Sequence, residues 1–298
     1  MYAAIASLHC PYCNINSPFS PGFFLATSRT VWSPAQPREV THSPEISSRS
    51  LRCYNLYMPE PLVGCSGFNY REWKGNFYPD DLPQNKWLEY YSTVFKTVEL
   101  NVTFYRLPLV KTFEKWYAET PPDFQFSLKG SRYITHIKRL LDPEESLDLF
   151  FERALHLQEK LRVVLWQFSP SFKINLERLS RFAKLLADYP VRNTLEFRNE
   201  SWMTKKTIDL CKETKVGLCM ADWPEFLDDL PVTSDFVYIR RHGEGGSYAT
   251  NYSKKALRND ASRLKSYVKD GKDAFIYFNN DFHGYAPKNA RELTGMLG

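Results

Sequence analysis

Eight short β-rich runs alternate with amphipathic segments from residue 62 to the end of this chain, and that alternation limits its fold more than any other feature. The runs are 62–66, 97–102, 124–129, 162–168, 193–198, 216–222, 236–242 and 273–279. The segments with helical apolar spacing are 84–95, 109–118, 143–158, 175–188, 202–213, 253–269 and 287–297, with only a weak turn near 224–230. A strand that is followed by a helix and then another strand pairs in parallel, because the helix carries the chain back to the same end of the sheet. Eight such units point to α/β architecture closed as a (β/α)8 TIM-type barrel rather than an open doubly wound sheet. No Gly-x-Gly-x-x-Gly follows the first run, which weakens the dinucleotide-binding alternative. Two helix starts carry capping chemistry: Asp142 before Pro143-Glu144-Glu145, and Ser253 before Lys254.

Residues 1–57 read differently. They hold no lysine, six prolines and nine serines, with four arginines against Glu39 and Glu45. No period is sustained there, so the segment is expected to be a disordered extension ahead of a single barrel domain, 58–298. An upstream extension with Met58 as the true first residue is the expected origin. A Ser-rich, acid-poor transit segment is the alternative, giving organellar import instead of the expected cytoplasmic location. Cys10 and Cys13 have the spacing of half a zinc knuckle, but no second pair follows at a usable distance. Cys65, Cys211 and Cys219 stand singly, as small core residues of a reducing compartment do.

Charge and hydropathy exclude several classes. No apolar run reaches the roughly 18 residues that span a bilayer, so no membrane partner is expected. Lys and Arg total 39 against 34 Asp and Glu, a net +5. The resulting pI of about 8.7 falls short of a dedicated nucleic-acid binder.

Strand parity carries the functional signal. Alternate residues of a barrel strand face the lumen and the others face the helices. Val98, Leu100 and Val102 face out, leaving Thr97, Glu99 and Asn101 inside; Phe124, Phe126 and Leu128 likewise leave Gln125, Ser127 and Lys129. Leu195 and Phe197 face out against Thr194, Glu196 and Arg198, and Val237 and Ile239 against Tyr238, Arg240 and His242. An ordinary barrel lumen is filled with branched apolar side chains. Burying this many ionisable groups is costly unless they are paired or reach solvent. The reading adopted is a polar site at the C-terminal mouth; the competing one is a closed salt-bridge network of Glu99 and Glu196 with Lys129, Arg198 and Arg240.

The same residues carry a family resemblance over 62–298. Gly64-Cys65-Ser66-Gly67 with Tyr70 and Trp73, then Phe77-Tyr78-Pro79, form an opening block. Glu99-Leu100-Asn101-Val102-Thr103-Phe104-Tyr105-Arg106 with Pro108 is the most specific segment, and Lys129 with Ile134-Thr135-His136 follows it. Glu196-Phe197-Arg198, Ser201-Trp202, Asp222 with Pro224, Tyr238-Ile239-Arg240 with His242-Gly243, and Tyr277-Phe278-Asn279-Asn280-Asp281 complete the series. In this order the blocks resemble the YecE-like family, also called domain of unknown function 72, TIM-barrel proteins that carry no established activity. Trp166-Gln167-Phe168-Ser169-Pro170 departs from the family's Gln-Leu-Pro-Pro, and Arg162 stands where glycine is expected; Gln167 is retained. The resemblance implies the fold and no chemistry.

Chemistry must come from the residues. Glu99, Glu196, Asp222 and His242 are the candidate catalytic groups, with Asp281 a further carboxylate at the end of the eighth run. Asn101, Tyr105, Lys129, His136, Gln167, Arg198, Arg240, Asn279 and Asn280 are the candidate substrate-binding groups. Carboxylates beside several cations suit a site that holds an anion while moving a proton, and arginine forks match phosphate or carboxylate. The expected ligand is an anionic small molecule or a nucleic-acid fragment. No cofactor is expected; a divalent metal on Glu99, Glu196, Asp222 and His242 is the alternative, disfavoured by the neighbouring arginines. A glycosidase pair with Tyr70, Trp73, Tyr105 and Trp202 as stacking faces is a weaker alternative, because those rings serve equally well as core. Gly243-Glu244-Gly245-Gly246 lacks the Lys-Ser/Thr of a phosphate loop and reads as a lid or hinge. The function expected is acid–base catalysis, hydrolase- or lyase-like, on a phosphate-bearing or other anionic substrate. A non-catalytic binding module for nucleic acid or a metabolite is the alternative.

Overall fold

The computed structural model of the chain describes residues 59–298. The expectations for residues 1–57, for Met58 and for the Cys10–Cys13 pair lie outside the described residues. Within them, β1 (Pro61–Ser66), β2 (Thr97–Leu100), β3 (Gln125–Lys129), β4 (Leu161–Gln167), β5 (Arg192–Glu196), β6 (Gly217–Ala221), β7 (Phe236–Arg241) and β8 (Asp273–Phe278) pair in sequence order, and β1 closes on β8. Every pairing is parallel. The protein is a (β/α)8 barrel.

The helices are α1 (Trp87–Val94), α2 (Val102–Tyr105), α3 (Val110–Ala118), α4 (Glu144–Ala154), α5 (Leu176–Leu186), α6 (Lys205–Glu213), α7 (Lys254–Lys269) and α8 (Tyr285–Leu297). Between β6 and β7 the chain makes only the 3₁₀ turn Glu225–Leu227, where the sequence shows its weakest helical spacing. α5 shows the logic of the others. Asn175 caps it by accepting from the Arg178 amide at 3.0 Å, and Leu179, Phe182, Ala183 and Leu186 form its buried stripe. Ser253 caps α7 through the Ala256 amide as expected. Asp142 does not cap α4, a correction to the sequence reading. The backbone takes positive φ at Arg139, Leu140 and Asp142, and the Asp142 carboxylate receives Arg181 at 2.9 Å instead.

Parity holds around the barrel. Val98, Leu100, Phe126, Leu128, Leu195, Val237 and Ile239 pack in the layer between sheet and helices. Leu62, Val163, Leu165, Cys219, Phe236, Tyr238, Phe275 and Tyr277 form a separate apolar cluster within the lumen. The Tyr277 hydroxyl ties this plug together, exchanging hydrogen bonds with Thr97 Oγ1 at 2.7 Å and Ser127 Oγ at 2.8 Å. Two glycines allow close approaches within the barrel wall, one beside the plug and one at the mouth. A side chain on Gly64 would strike the Thr97 carbonyl, and one on Gly130, directly after Lys129, would strike the Trp166 ring. Cys65, Cys211 and Cys219 are buried and unpaired. No helix among the described residues is long and apolar enough to cross a membrane.

Candidate functional site

Above the apolar plug, the strand ends hold a charged layer centred on Arg240. Its Nε donates to Glu99 Oε2 at 3.0 Å and its Nη2 to Glu99 Oε1 at 2.8 Å, the two-pronged fit that a guanidinium makes with a carboxylate. Nη1 reaches Glu196 Oε2 at 3.0 Å, and Nη2 also donates to Ser66 Oγ at 3.0 Å. Glu99 further accepts from the Tyr238 hydroxyl at 2.7 Å and from Ser66. Glu196 accepts from Gln167 Nε2 at 2.9 Å and pairs with Arg198. Burial alone would raise both carboxyls, but Arg240 at Glu99, and Arg198 with Arg240 at Glu196, outweigh it and hold both below the usual range. Both glutamates are ionised, and Arg240 is held charged between them despite its burial.

His242 completes this layer. Nη2 of Arg198 and Nη1 of Arg240 each lie 2.9 Å from its Nε2, so that nitrogen accepts and the ring proton sits on Nδ1. Nδ1 is 3.4 Å from Asp222 Oδ1. Burial holds the imidazole below its usual pKa, so His242 is neutral at neutral pH. Burial pushes Asp222 upward, but hydrogen bonds from His242 and from the Tyr252 hydroxyl overcome this and keep it ionised.

Over this floor opens a cavity of about 970 Å³ at the C-terminal end of the barrel. Lys129, Arg132, Arg198 and Arg240 line it, with Asn101, Tyr105, His136, Gln167, Asn279, Tyr70, Tyr248 and Asp281. Lys129 is only 9% exposed, yet it makes no hydrogen bond or ion pair among the described residues. Its Nζ sits 4.4 Å from the centre of the Phe104 ring. Burial, aided by the charge of Arg240, brings its pKa down to about 8. His136 packs edge-on to Phe104 and is pushed down to about 4 by burial and by Lys129 and Arg132. Asp281 behaves in the opposite way to the floor carboxylates. Burial raises it to about 8, with Tyr70 only partly opposing, so its carboxyl carries a proton at neutral pH. Its Oδ1 is buried with no partner among the described residues.

The structure therefore gathers the predicted residues but divides them into two layers. Asn101, Tyr105, Lys129, His136, Gln167, Arg198, Arg240 and Asn279 line the cavity. Glu99, Glu196, Asp222 and His242 do not, which corrects the expectation that they meet a ligand directly: the guanidinium groups and Tyr252 reach them first, and they form the floor beneath. Asn280 is a second correction. It is turned out of the lumen and donates to the Thr250 carbonyl at 2.7 Å and Asn289 Oδ1 at 2.9 Å. Trp73 and Trp202 are core side chains and offer no stacking face, whereas Tyr70 and Tyr105 do line the cavity. The alternative metal set does not assemble: among the described residues no three His, Cys, Asp or Glu side chains gather as ligands. Arg241 leaves the lumen, as parity requires, for Asp260 on α7 and Asp228. The glycine-rich segment after β7 forms a tight turn with Gly246 against the Trp223 ring and delivers Tyr248 to the cavity. Arg132 and Tyr248 escaped the sequence reading. Arg132 stands in the same block as Lys129 and His136, and that proximity was the available signal.

Fold and mouth define a (β/α)8 barrel protein with a polar, cation-rich C-terminal cavity. The chain belongs to the family described as Protein of unknown function DUF72, whose model matches residues 62–298. It is 28% identical over 270 residues to UPF0759 protein YunF of Bacillus subtilis, covering 79% of this chain and 94% of that protein. Among solved structures, a DUF72 family protein from Thermotoga maritima superposes with a TM-score of 0.71 at 32% identity, covering 80% of this chain and 98% of the other. A DUF72 family protein from Enterococcus faecalis, at 21% identity and a TM-score of 0.68 over 80% of this chain and 95% of its own, shares the fold.

Proposed function

We propose that this barrel is an enzyme that performs acid–base chemistry on a phosphate-bearing or other anionic small molecule held at its C-terminal mouth. The observation that carries this reading is the charge balance of the cavity. Glu99 and Glu196 offset Arg198 and Arg240, which leaves Lys129 and Arg132 as surplus cations facing open volume. Among the described residues the one carboxyl lining that volume, Asp281, carries a proton at neutral pH. An anion entering the mouth gains two unopposed cations and finds a proton donor across the cavity from them.

In this reading Lys129 and Arg132 bind the anionic group, and Arg198 orients it. Asp281, beside Tyr70, delivers the proton, and neutral His136 accepts one. The floor groups Glu99, Glu196 and His242 are positioning residues that hold Arg240 and Arg198 in place. The buried free cysteines fit a reducing compartment, and we assign the working unit to residues 58–298 and its location to the cytoplasm.

The second reading is a non-catalytic binding module. It is favoured by exposed rings near the mouth: Tyr105 at 71%, Tyr133, Trp223 and Phe282, which offer stacking faces to a nucleic-acid base. Turnover by the full chain in a panel of phosphomonoesters, phosphodiesters, phosphosugars and oxo acids supports the enzyme. No turnover, with salt-dependent retention on single-stranded nucleic acid, supports the module.

A further inference from the structure

Two lysines of this chain are buried, and they differ in one respect. Lys160 lies over the Tyr117 ring at 4.3 Å and donates to the Tyr117 carbonyl at 2.7 Å, the Thr120 carbonyl at 2.8 Å and Thr120 Oγ1 at 3.1 Å. All three of its N–H groups are used. Lys129 lies over the Phe104 ring at 4.4 Å and donates to nothing among the described residues. The Lys129 stem is buried while its ammonium reaches the cavity with no partner among the described residues, and leaving a charge so placed is costly. Such a lysine is what nucleophilic amine catalysis needs: desolvated, beside another cation, and open to a cavity.

We infer that Lys129 is an amine nucleophile that forms an imine with the carbonyl carbon of an anionic aldehyde or ketone held in the barrel mouth. The inference rests on the anion-site reading above and names its substrate class. The charged and titratable groups facing Lys129 are Glu99 from β2, Arg132 and His136 after β3, Glu196 and Arg198 at β5, and Arg240 from β7. The two glutamates are held by arginines, so no carboxylate is free to fix the ammonium. With its pKa near 8, about one-tenth of Lys129 is free amine at pH 7.

The step balances without a redox partner. The Nζ lone pair attacks the carbonyl carbon, and a C–N bond forms. The C=O π pair moves to oxygen, which takes a proton from Asp281, while the nitrogen gives one up to His136. His136 passes that proton to the resulting hydroxyl, which leaves as water as the nitrogen lone pair closes the C=N bond, and the iminium N–H proton returns to Asp281. Amine and carbonyl thus become imine and water, and the substrate's anionic group remains on Arg132 and Arg198.

The test uses the full chain with pyruvate, glycolaldehyde phosphate and, as the uncharged control, propionaldehyde, each with sodium borohydride to fix any imine as a stable amine. Peptide mapping by mass spectrometry is expected to find the reduced adduct on Lys129 at least ten times more often than on any other lysine, with the anionic probes only. Its rate rises with pH up to about 8 as Lys129 gives up its proton, and falls above it as Asp281 loses the proton it donates. Lys129→Arg keeps the charge and loses the adduct. Labelling spread over surface lysines, with Lys129 no higher, overturns the inference and needs no variant to read. Calorimetric titration with inorganic phosphate separates the two readings. Phosphate binding without a Lys129 adduct overturns the imine alone; neither one overturns the anion site as well.

Discussion

Arg240 and Arg241 are neighbours on β7, both buried and both answered by two carboxylates, yet they belong to different kinds of structure. Arg241 faces the helix layer, where it joins β7 to Asp260 on α7 and to Asp228. Beyond it lie α7 and, through the half-exposed Asp228, bulk solvent, with no cavity on that side among the described residues. Arg240 faces the lumen, joins β2 to β5 through Glu99 and Glu196, and opens on its far side to the cavity. A buried ion pair therefore does not by itself mark a functional site, because this chain uses the same device as a structural tie one residue away. The mouth is distinguished by what the tie leaves over: the unpartnered Lys129, the exposed Arg132 and the protonated Asp281.

The comparison can be broken most forcefully at its centre. Arg240→Met strands the fully buried Glu99 and leaves Glu196 with Arg198 alone, and we expect a loss of about 3–5 kcal/mol in urea unfolding at pH 7. Arg241→Met should cost less, about 2–3 kcal/mol, because Asp228 is half exposed and solvent replaces its partner. Equal losses would erase the distinction. The acid limb sharpens it. Glu99 and Glu196 have folded pKa values below their unfolded ones, so they stabilise the fold above about pH 4.5, and that contribution is lost as pH falls through the folded values. In Arg240→Met only burial and the weaker neighbours act on Glu99, its pKa rises, and stability should increase as pH falls toward 5.

The next effect concerns the proton donor. Asp281→Asn preserves shape, and at pH 7 it replaces a neutral carboxyl with a neutral amide. We expect turnover to fall about 100-fold or more, and the decline of the wild-type rate above pH 8 to vanish with it. An unaltered pH–rate profile in the variant would remove Asp281 from the chemistry.

Lys129→Met should act with the opposite sign to Arg240→Met. Its folded pKa of about 8 lies below that of an unfolded lysine, so the charged form destabilises the fold below pH 8, and stability recovers as pH rises from 8 toward 10.5. Removing the charge should therefore stabilise the protein at pH 7 by roughly 1–3 kcal/mol while weakening anion binding. Lys160→Met, which frees the Tyr117 and Thr120 carbonyls, should destabilise by about 1–3 kcal/mol. Thermal unfolding of the two variants side by side checks both signs.

Much of this was legible before the structure. The alternation of Val98 and Leu100 with Thr97 and Glu99 orients β2, and the same parity on three other strands places the charged layer; it fails past Leu100, where Val102 opens α2 and is exposed instead of packing on the helices. Parity says which way a side chain points and not what reaches it first, so Glu99 and Glu196 were expected at the ligand when they lie under Arg240. It also loses force past a strand's end: Asn279 and Asn280 follow β8, and only the first lines the cavity. The role of Asp281 depends on burial among segments far apart in sequence, set against an opposing hydrogen bond from Tyr70 after β1, and no local pattern encodes that sum. The Asp142 cap failed because a left-handed turn at Arg139 and Leu140 is a property of the whole loop.

The smallest effect is expected from the amino-terminal segment. Residues 1–57 show no apolar period, so their deletion should shift the melting temperature by no more than a few degrees. A larger fall would make them part of the folding unit.

The central claim is that the barrel mouth, not the outer charge clusters, is where an anion binds. A crystal structure of the protein grown with millimolar inorganic phosphate tests it most directly. The account predicts phosphate in the cavity within hydrogen-bond distance of Lys129 Nζ and of the Arg132 or Arg198 guanidinium, over an undisturbed Glu99–Arg240–Glu196 floor. Phosphate bound only at surface lysines or arginines, with the mouth filled by water alone, would contradict it.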